Sequence, residues 1–590
     1  MRRTLQTKTC LRLIVAVFCA LAFCALNLSA AAADPKPGTT PGKTILVTPA
    51  AGGTLAYAPY SARGDTIPDF SNCGYKGGSV DIPVAPVRET LDASADSKAD
   101  DTARIQAALD RVGALALRAN GLRGAVLLKR GVYRCADTLR IKASGVVLRG
   151  EGEDEKGTVL LATAPKQYAL ISIGGLAEKD SPRAASPPKR AKKISARDEK
   201  GTARERPASG AIDADSLNDW NDDPAGAGSG PIKTLGAPVA VTDDYVPVGS
   251  FAVTVADASK FAVGQTVYLI RHGNAAWIHE IAMDRIALRH PDKPEETKQW
   301  QPFDLRYDRV ITAINGRRVT LDAPLVCAID KRWGGGSLAR YSDAQRIENS
   351  GVENLRGDSV YDPEKITSDR SATRYASDEN HALYLVSFDA AKNCWAQHLA
   401  AIHFYHGPAI LNRDAKWITV QDCASLAPVS TITGGRRYPY NINGAQLCLV
   451  QRCESDKARH AFVVGARVPG PNVFLNCKST HNYATSEPHH RWSTGGLYDN
   501  VDAHMAIQDR QWMGSGHGWA GANYVVWNCT GTLICQQPPT AQNFAIGFTG
   551  QKNKGAFPGR PDGWWESFGR RVEPESLYLA QLKARLAGKK

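Results

Sequence analysis

The chain has 590 residues, of which 43% are hydrophobic and 22% charged; that balance excludes a wholly disordered polymer, and the length exceeds one ordinary core, although a stacked solenoid reaches it as a single body. The formal net charge of +13 is concentrated in two places. Arg2, Arg3, Lys8 and Arg12 open the chain, and residues 178–206 hold ten basic against five acidic side chains, so what remains is a mild basic bias, compatible with an acidic polymer and no argument for nucleic acid.

The basic start runs into an apolar stretch from Leu13 to Leu26 and then into the small residues Ala30–Ala33. Such a stretch is short for a membrane span. Residues 1–33 read as a cleaved signal peptide, and the protein as secreted or periplasmic. Residues 34–97, rich in Pro, Gly and Thr, form a lead-in. A helix is expected over 98–119, capped by Asp100 or Asp101, with Ile105, Ala108, Leu109 and Val112 on one face. Short strands follow from Ala125, Leu139, Val146 and Val159, punctuated by Gly131, Gly145 and Gly150. An amphipathic helix ahead of stacked strands suits the end of a solenoid, which must cover its open core. Residues 98–175 are thus a cap with the first coils.

Large apolar residues nearly vanish over 176–235, which read as a disordered basic linker. Residues 236–330 regain strand character, and Asn315-Gly316 between alternating strands signals a hairpin; this is a β-rich insertion. The main coils are expected over 331–550. Residues 551–590 form a tail with a helix near Pro574–Leu586.

Within the main coils a short pattern recurs: an apolar residue, then two residues, then cysteine. It ends at Cys394, Cys423, Cys453, Cys477 and Cys529, with Val420, Val450, Phe474 and Val526 among the apolar positions. A further copy, Ile507–Arg510, carries arginine in the cysteine slot. A period of this size marks a repeat architecture. One short strand per copy predicts an all-β, parallel β-helix with the cysteines in a column. Ten cysteines follow the leader. Equivalent slots favour stacked, buried thiols over disulfides, and no CxxC pair offers a zinc site.

The Asp-Asp-Thr helix start, Gly124-Ala-Val-Leu-Leu, Gly131-Val-Tyr133, Leu139-Arg-Ile and Val146-Val-Leu-Arg-Gly150-Glu-Gly152 together resemble the N-terminal end of pectate-lyase-superfamily proteins. The resemblance covers residues 98–163 closely and the later repeats more loosely. It implies a right-handed parallel β-helix and action on an acidic polysaccharide; it does not imply one reaction. Pectate lyases of the best-known type carry Arg-x-Pro-x-x-Arg, whereas here Arg467-Val-Pro469-Gly-Pro-Asn472 ends in asparagine. Gly516-His517-Gly518 is similar to a polygalacturonase motif, but the carboxylate motifs that accompany it are absent. Neither mechanism is carried over.

Ten of the thirteen histidines lie between His381 and His517. Three polar stretches join them: 436–441, 456–460 and 487–492. β-Elimination of a uronate needs the carboxylate charge neutralised, a base for the α proton and an acid for the leaving oxygen. His490 or His460 suits the base, Tyr440 the acid, and Arg459, Arg491 and Asn441 the neutralisers. A bound Ca²⁺ is another neutraliser, and no cofactor is defined by the sequence. Arg510 and His517 extend the substrate-binding set, and Trp492 and Trp519 are candidates to stack on sugars. Arg510 in a buried slot requires a partner such as Asp509 or Asp499.

The leading expectation is an exported polysaccharide lyase that acts as a monomer on an acidic polysaccharide, with no nucleic-acid partner and no membrane span once the leader is removed. A glycoside hydrolase on the same solenoid is the alternative, and it would need two facing carboxylates drawn from Asp378, Glu379, Asp456, Glu487 and Asp499. A non-catalytic carbohydrate-binding protein is the third reading.

Overall fold

Strand pairing in the computed structural model is dominated by long parallel ladders. The structure describes residues 41–174, 232, 234–369 and 371–588; the leader and nearly all of the expected linker lie outside them. Three sheets wind along one axis. The first runs through strands such as Val146–Gly152, Thr419–Gln421, Leu449–Gln451, Asn472–Leu475 and Val525–Trp527. The second takes Ala424–Leu426, Glu454–Asp456, Lys478–Thr480 and Thr530–Cys535. The third stacks Leu139–Ile141, Ala169–Gly174, Tyr384–Asp389, Gly407–Asn412, Tyr440–Asn443 and Phe462–Val464. This is a parallel β-helix, and right-handed coiling is the rule for parallel β connections.

The helix before the first coils spans Thr102–Ala114 and buries Ile105, Ala108, Leu109 and Val112. Its first turn is held by Asp100, whose Oδ1 accepts from Thr102 N at 3.0 Å. The core inside the coils is one continuous cluster from Ile105 to Phe548.

The recurring polar-cysteine pair has a backbone cause. The residue before each cysteine turns the corner between the first and second sheets in the left-handed conformation: Asp422 (φ 53°), Arg452 (φ 52°), Asn476 (φ 52°) and Asn528 (φ 51°). Asn and Asp tolerate that region better than other non-glycine residues. The next residue points inward and must be small, which suits cysteine. The strands that follow fix the register through Ala424↔Glu454, Glu454↔Lys478, Lys478↔Asp502 and Asp502↔Thr530.

This register corrects two copies of the pattern. The slot between Cys477 and Cys529 belongs to Val501, after the left-handed Asn500 (φ 54°), and not to Arg510. Cys394 belongs to a second column, beside Ile418 and Cys448, at the corner entering the first sheet. There Asn393, Trp417 and Leu447 are the left-handed residues. All ten cysteines in the described residues are free and buried.

The outer face of the first sheet is apolar as well. Leu449, Val473, Leu497, Val525 and Phe544 are covered by Leu46, Val47, Ile67 and Phe70 of the N-terminal segment and by Leu577 and Tyr578 of the C-terminal helix, Leu577–Ala587. The lead-in is therefore a strap along the solenoid, and its strand Val87–Leu91 pairs parallel with Gly124–Leu128 as an outermost rung. None of the helices in the described residues is long and apolar enough to cross a membrane.

The insertion is a six-stranded antiparallel sheet from Thr234–Ala240 to Gly336–Tyr341. It leaves the solenoid after the third sheet's Ala169–Gly174 strand and leans over later rungs. Trp300 Nε1 donates to Gly516 O at 2.9 Å, and Asn523 Nδ2 to Val326 O at 2.9 Å. Asp308 anchors it beneath: it accepts from Arg346 Nη2 at 2.6 Å, Lys416 Nζ at 2.8 Å and Tyr341 Oη at 2.6 Å, all buried.

Candidate active site

The outward face of the third sheet carries the chemistry. Asn441 pairs with Val463, and the next rung continues through the Val464↔Pro488 bridge, which sets Glu487 in line with them on the outer face. Two residues on, His489 emerges on the same face. Arg491 (φ 51°) and Trp492 (φ 54°) are both left-handed, so the chain turns sharply after His490 and divides the side chains of this stretch between two environments.

Glu487 is the hub, buried at 2% exposure. Its Oε2 accepts from Thr485 Oγ1 at 2.6 Å, and its Oε1 accepts from Arg510 Nη1 at 2.8 Å. His489 Nδ1 lies 2.8 Å from the same Oε1, and His460 Nδ1 3.3 Å from it. His460 Nδ1 is also 2.5 Å from the carbonyl of Thr485. A carbonyl only accepts, so that contact assigns the His460 proton to Nδ1 and the lone pair to Nε2. The Nε2 atom is buried and has no hydrogen-bond partner. His489 Nε2 faces Tyr438 Oη at 3.2 Å, and Arg459 Nη1 donates to that hydroxyl at 3.0 Å. A carboxylate, an imidazole and a phenol thus stand in a row, with a second imidazole beside the phenol: the rings of Tyr438 and His460 are 5.0 Å apart.

Burial sets the charge states. It holds His460, His489 and His517 well below the ordinary imidazole value, reinforced by Arg459 and Arg510 at His460 and by Arg510 at the other two. Burial holds the Glu487 carboxyl above its ordinary value, and Arg510 offsets only part of that rise. At neutral pH these imidazoles are unprotonated, each with a ring nitrogen that can accept a proton.

Several expected residues converge here. His460 and Arg510 belong to the hub. His490 and His517 adjoin it, with ring centroids 5.3 Å and 5.0 Å from His489. Arg491 binds Ser515 Oγ at 2.8 Å in the neighbouring loop. Arg510 pairs with Glu487; Asp509 pairs instead with Arg560 at 2.6 Å, and Asp499 caps the C-terminal helix.

Four expected residues stand elsewhere. Tyr440, expected as the acid, points into the solenoid, where its hydroxyl donates to Cys423 O at 2.7 Å and Glu454 O at 2.8 Å. Tyr438, two residues earlier, has the place expected of it, because Arg437 is left-handed (φ 56°) and swings the chain before the strand begins. Trp492 and Trp519 are not stacking platforms: both belong to the insertion's core, with Trp492 edge-on to Trp277 at 5.2 Å. Asn441 lies on the correct face but two rungs from Glu487, with Nδ2 3.3 Å from Tyr384 Oη. His489 and Tyr438 were not in the expected set, and Glu487 was there only as one of the carboxylates a hydrolase would need, although each lies inside a polar stretch the sequence marks.

Ligand atoms of His460, Glu487 and His489 lie within 4.8 Å of one another, a spacing that a metal ion would accept. Ca²⁺ draws six to eight oxygen ligands; one carboxylate, two imidazoles and a guanidinium do not fit it. Arg510 Nη1 sits 2.8 Å from both Glu487 Oε1 and His489 Nδ1 and so stands where a cation would bind.

No protein-family model matches the chain, and no curated protein does. Among solved structures it is similar to the Gp54 tailspike of Acinetobacter baumannii bacteriophage AP22, at 11% identity and a TM-score of 0.40, covering 77% of this chain and 55% of that one. It is similar to the gp61 tailspike of Pseudomonas phage phi297, at 12% identity and a TM-score of 0.39, covering 78% and 58%. It is also similar to a polygalacturonase from Erwinia carotovora ssp. carotovora, at 10% identity and a TM-score of 0.30, covering 84% and 98%. The chain spans a little over half the length of the two tailspikes it matches. Likeness at this level carries no functional argument; the assignment of the fold rests on the parallel ladders.

Proposed function

We propose that the protein is an exported polysaccharide lyase that cleaves a uronate-containing chain by β-elimination. The observation that carries this is an unprotonated His460 Nε2 with no hydrogen-bond partner, on a ring whose centroid lies 5.0 Å from that of Tyr438. His460 takes the proton α to the carboxylate. Tyr438 gives its proton to the leaving glycosidic oxygen as the carbon–oxygen bond breaks, and a carbon–carbon double bond forms between the two carbons. The tyrosinate left behind is held by Arg459; His460 carries the proton taken from the substrate, and its release to solvent with uptake of one by Tyr438 resets the pair and balances the protons. Arg459, half-buried beside Tyr438, is the group best placed to offset the substrate's carboxylate.

Hydrolysis has less support. It needs two carboxyl groups facing each other across the bond. Glu487 is tied to Arg510, and Glu379 is bound by Arg436 at 2.6 Å and Thr431 at 2.5 Å. The test is purified protein on acidic polysaccharides, followed by the ultraviolet absorbance of the unsaturated product. Absorbance that vanishes in His460→Ala, in a variant that still melts cooperatively, supports elimination. New reducing ends without absorbance would discard it, and neither signal on any glycan would favour a binding protein.

A further inference from the structure

The insertion carries a constellation that the proposed elimination does not use. Its sheet seats the strand Thr266–Arg271 between Gly336–Tyr341 and Leu305–Asn315. Register aligns Ile270 with Ser337 on one side and with Arg306 on the other. Side chains two apart along a strand share a face. Ser337, His272 and Asp304 therefore come out on one face, from three neighbouring segments of chain. His272 N donates to Gly335 O at 3.0 Å, which carries the pairing one residue past the strand end.

The imidazole bridges the other two groups. His272 Nε2 lies 3.0 Å from Ser337 Oγ, and Nδ1 lies 3.0 Å from Asp304 Oδ1. A carboxylate oxygen only accepts, which puts the ring proton on Nδ1 and leaves Nε2 to accept from the hydroxyl. Hydroxyl, imidazole and carboxylate thus stand in the order that makes a serine nucleophilic. Burial does not demand this network: the side chains of His272 and Asp304 are 36% and 31% exposed, so water could satisfy both. Ser359 and His381 offer the contrast. They are also 3.0 Å apart, but through Nδ1. There Nε2 lies 2.8 Å from Val429 O, no carboxylate orients the ring, and the imidazole is sealed from solvent.

Glycine shapes the approach. Gly334 and Gly335 are left-handed, with φ of 119° and 67°. A β-carbon at Gly334 would lie 3.3 Å from His272 Cβ. At Gly335 the nearest atom beyond its chain neighbours would be Lys331 Cα at 3.8 Å. Backbone without side chains thus runs beside the imidazole. Ser337 itself is 6% exposed. A hydroxyl set so deep is reached by a small acyl group and not by a long acyl chain.

We infer that Ser337, His272 and Asp304 form a second active site, one that hydrolyses small acyl esters of acetyl size. Ser337 Oγ adds to the ester carbonyl carbon as its proton passes to His272 Nε2. Collapse of the adduct breaks the bond to the alcohol oxygen, and the imidazolium returns the proton to the departing alcohol. Water then repeats both steps on the acyl-serine, releasing the carboxylic acid and restoring the hydroxyl. Asp304 is a positioning residue that holds the ring with Nε2 toward the serine. The inference stands apart from the lyase reading and neither needs nor supports it.

The experiment uses the full chain and two readouts. Wild type is treated with a fluorophosphonate, and the adduct is located by peptide mass spectrometry. Hydrolysis of 4-nitrophenyl acetate and 4-nitrophenyl octanoate is followed in wild type, Ser337→Ala, Asp304→Asn and Asp304→Glu, with thermal melting as the check on folding. The expected result is an adduct on Ser337 and kcat/KM at least about tenfold higher on the acetate than on the octanoate. Ser337→Ala should lose about 100-fold or more on the acetate with its melt preserved. Asp304→Asn should lose at least about tenfold, and Asp304→Glu should recover part of that loss, which a merely structural role would not produce. No adduct on Ser337 in wild type overturns the inference whatever the variants do. So does acetate hydrolysis that survives in a folded Ser337→Ala variant. Octanoate cleaved as fast as acetate overturns the small-acyl assignment.

Discussion

Tyr438→Phe removes one hydroxyl from the centre of the proposed machinery, and its neighbour supplies the control. Tyr438 Oη meets Arg459 at 3.0 Å, His489 at 3.2 Å and Gly434 O at 3.3 Å. Losing such bonds costs about 1 kcal/mol of stability, so the variant folds. Catalysis suffers far more. A positioned general acid contributes about 10²–10⁴-fold, or ~2.7–5.4 kcal/mol of barrier. The loss falls on kcat, with KM nearly unchanged, because the proton moves only in the transition state. Tyr440→Phe is the mirror image. Its hydroxyl caps two core carbonyls at 2.7 and 2.8 Å, so the variant loses about 1–3 kcal/mol of stability and keeps its kcat. Initial rates and thermal melts on both variants decide the matter. If Tyr440→Phe lost kcat while folded, or if Tyr438→Phe kept it, the placement of the acid would be wrong.

Three further outcomes follow from the same geometry. Because burial lowers the imidazoles of His460 and His489 from 6.5, the acid limb of kcat/KM should lie below that value, with no loss of activity from pH 7 down to it; a limb at or above 6.5 would sink the neutral-base assignment. Asp308 is buried yet held low by Arg346 and Lys416, so its stabilisation is present above the unfolded carboxyl value and is lost as pH falls through its lower folded value. Asp308→Asn strands two buried cations and should cost about 3–5 kcal/mol in denaturant unfolding; a loss under 1 kcal/mol would refute the anchoring role. Asp499 behaves in the opposite sense: burial raises it to about 7. The folded state keeps a proton that the unfolded chain has released, so stability falls by on the order of a few kcal/mol between pH ~4 and about 7. Asp499→Asn should flatten that slope, and an unchanged slope would place its origin elsewhere.

The solenoid was legible because its signals are local. Left-handed corners want Asn or Asp, the inward slot after them wants a small residue, and these needs recur with each coil until the spacing announces a stack. The same local rule also misled: Asn393-Cys394 obeys it at a different corner, and Ile507–Arg510 resembles it without occupying the slot. Periodicity names the kind of turn and not which edge of the prism it forms. The polar stretches 436–441, 456–460 and 487–492 drew attention to the site because such groups are poor core material. Which member of each stretch reaches the site depended on single backbone angles: a left-handed Arg437 that exchanges Tyr438 for Tyr440, and the left-handed pair Arg491-Trp492 that sends the indole into the insertion. The amino-acid sequence determined a parallel coil with a cation- and imidazole-rich side. Only the tertiary structure decided that Glu487, His489, His460, Tyr438 and Arg510 meet, because they come from different rungs and loops, and their meeting depends on register between strands that no local preference encodes.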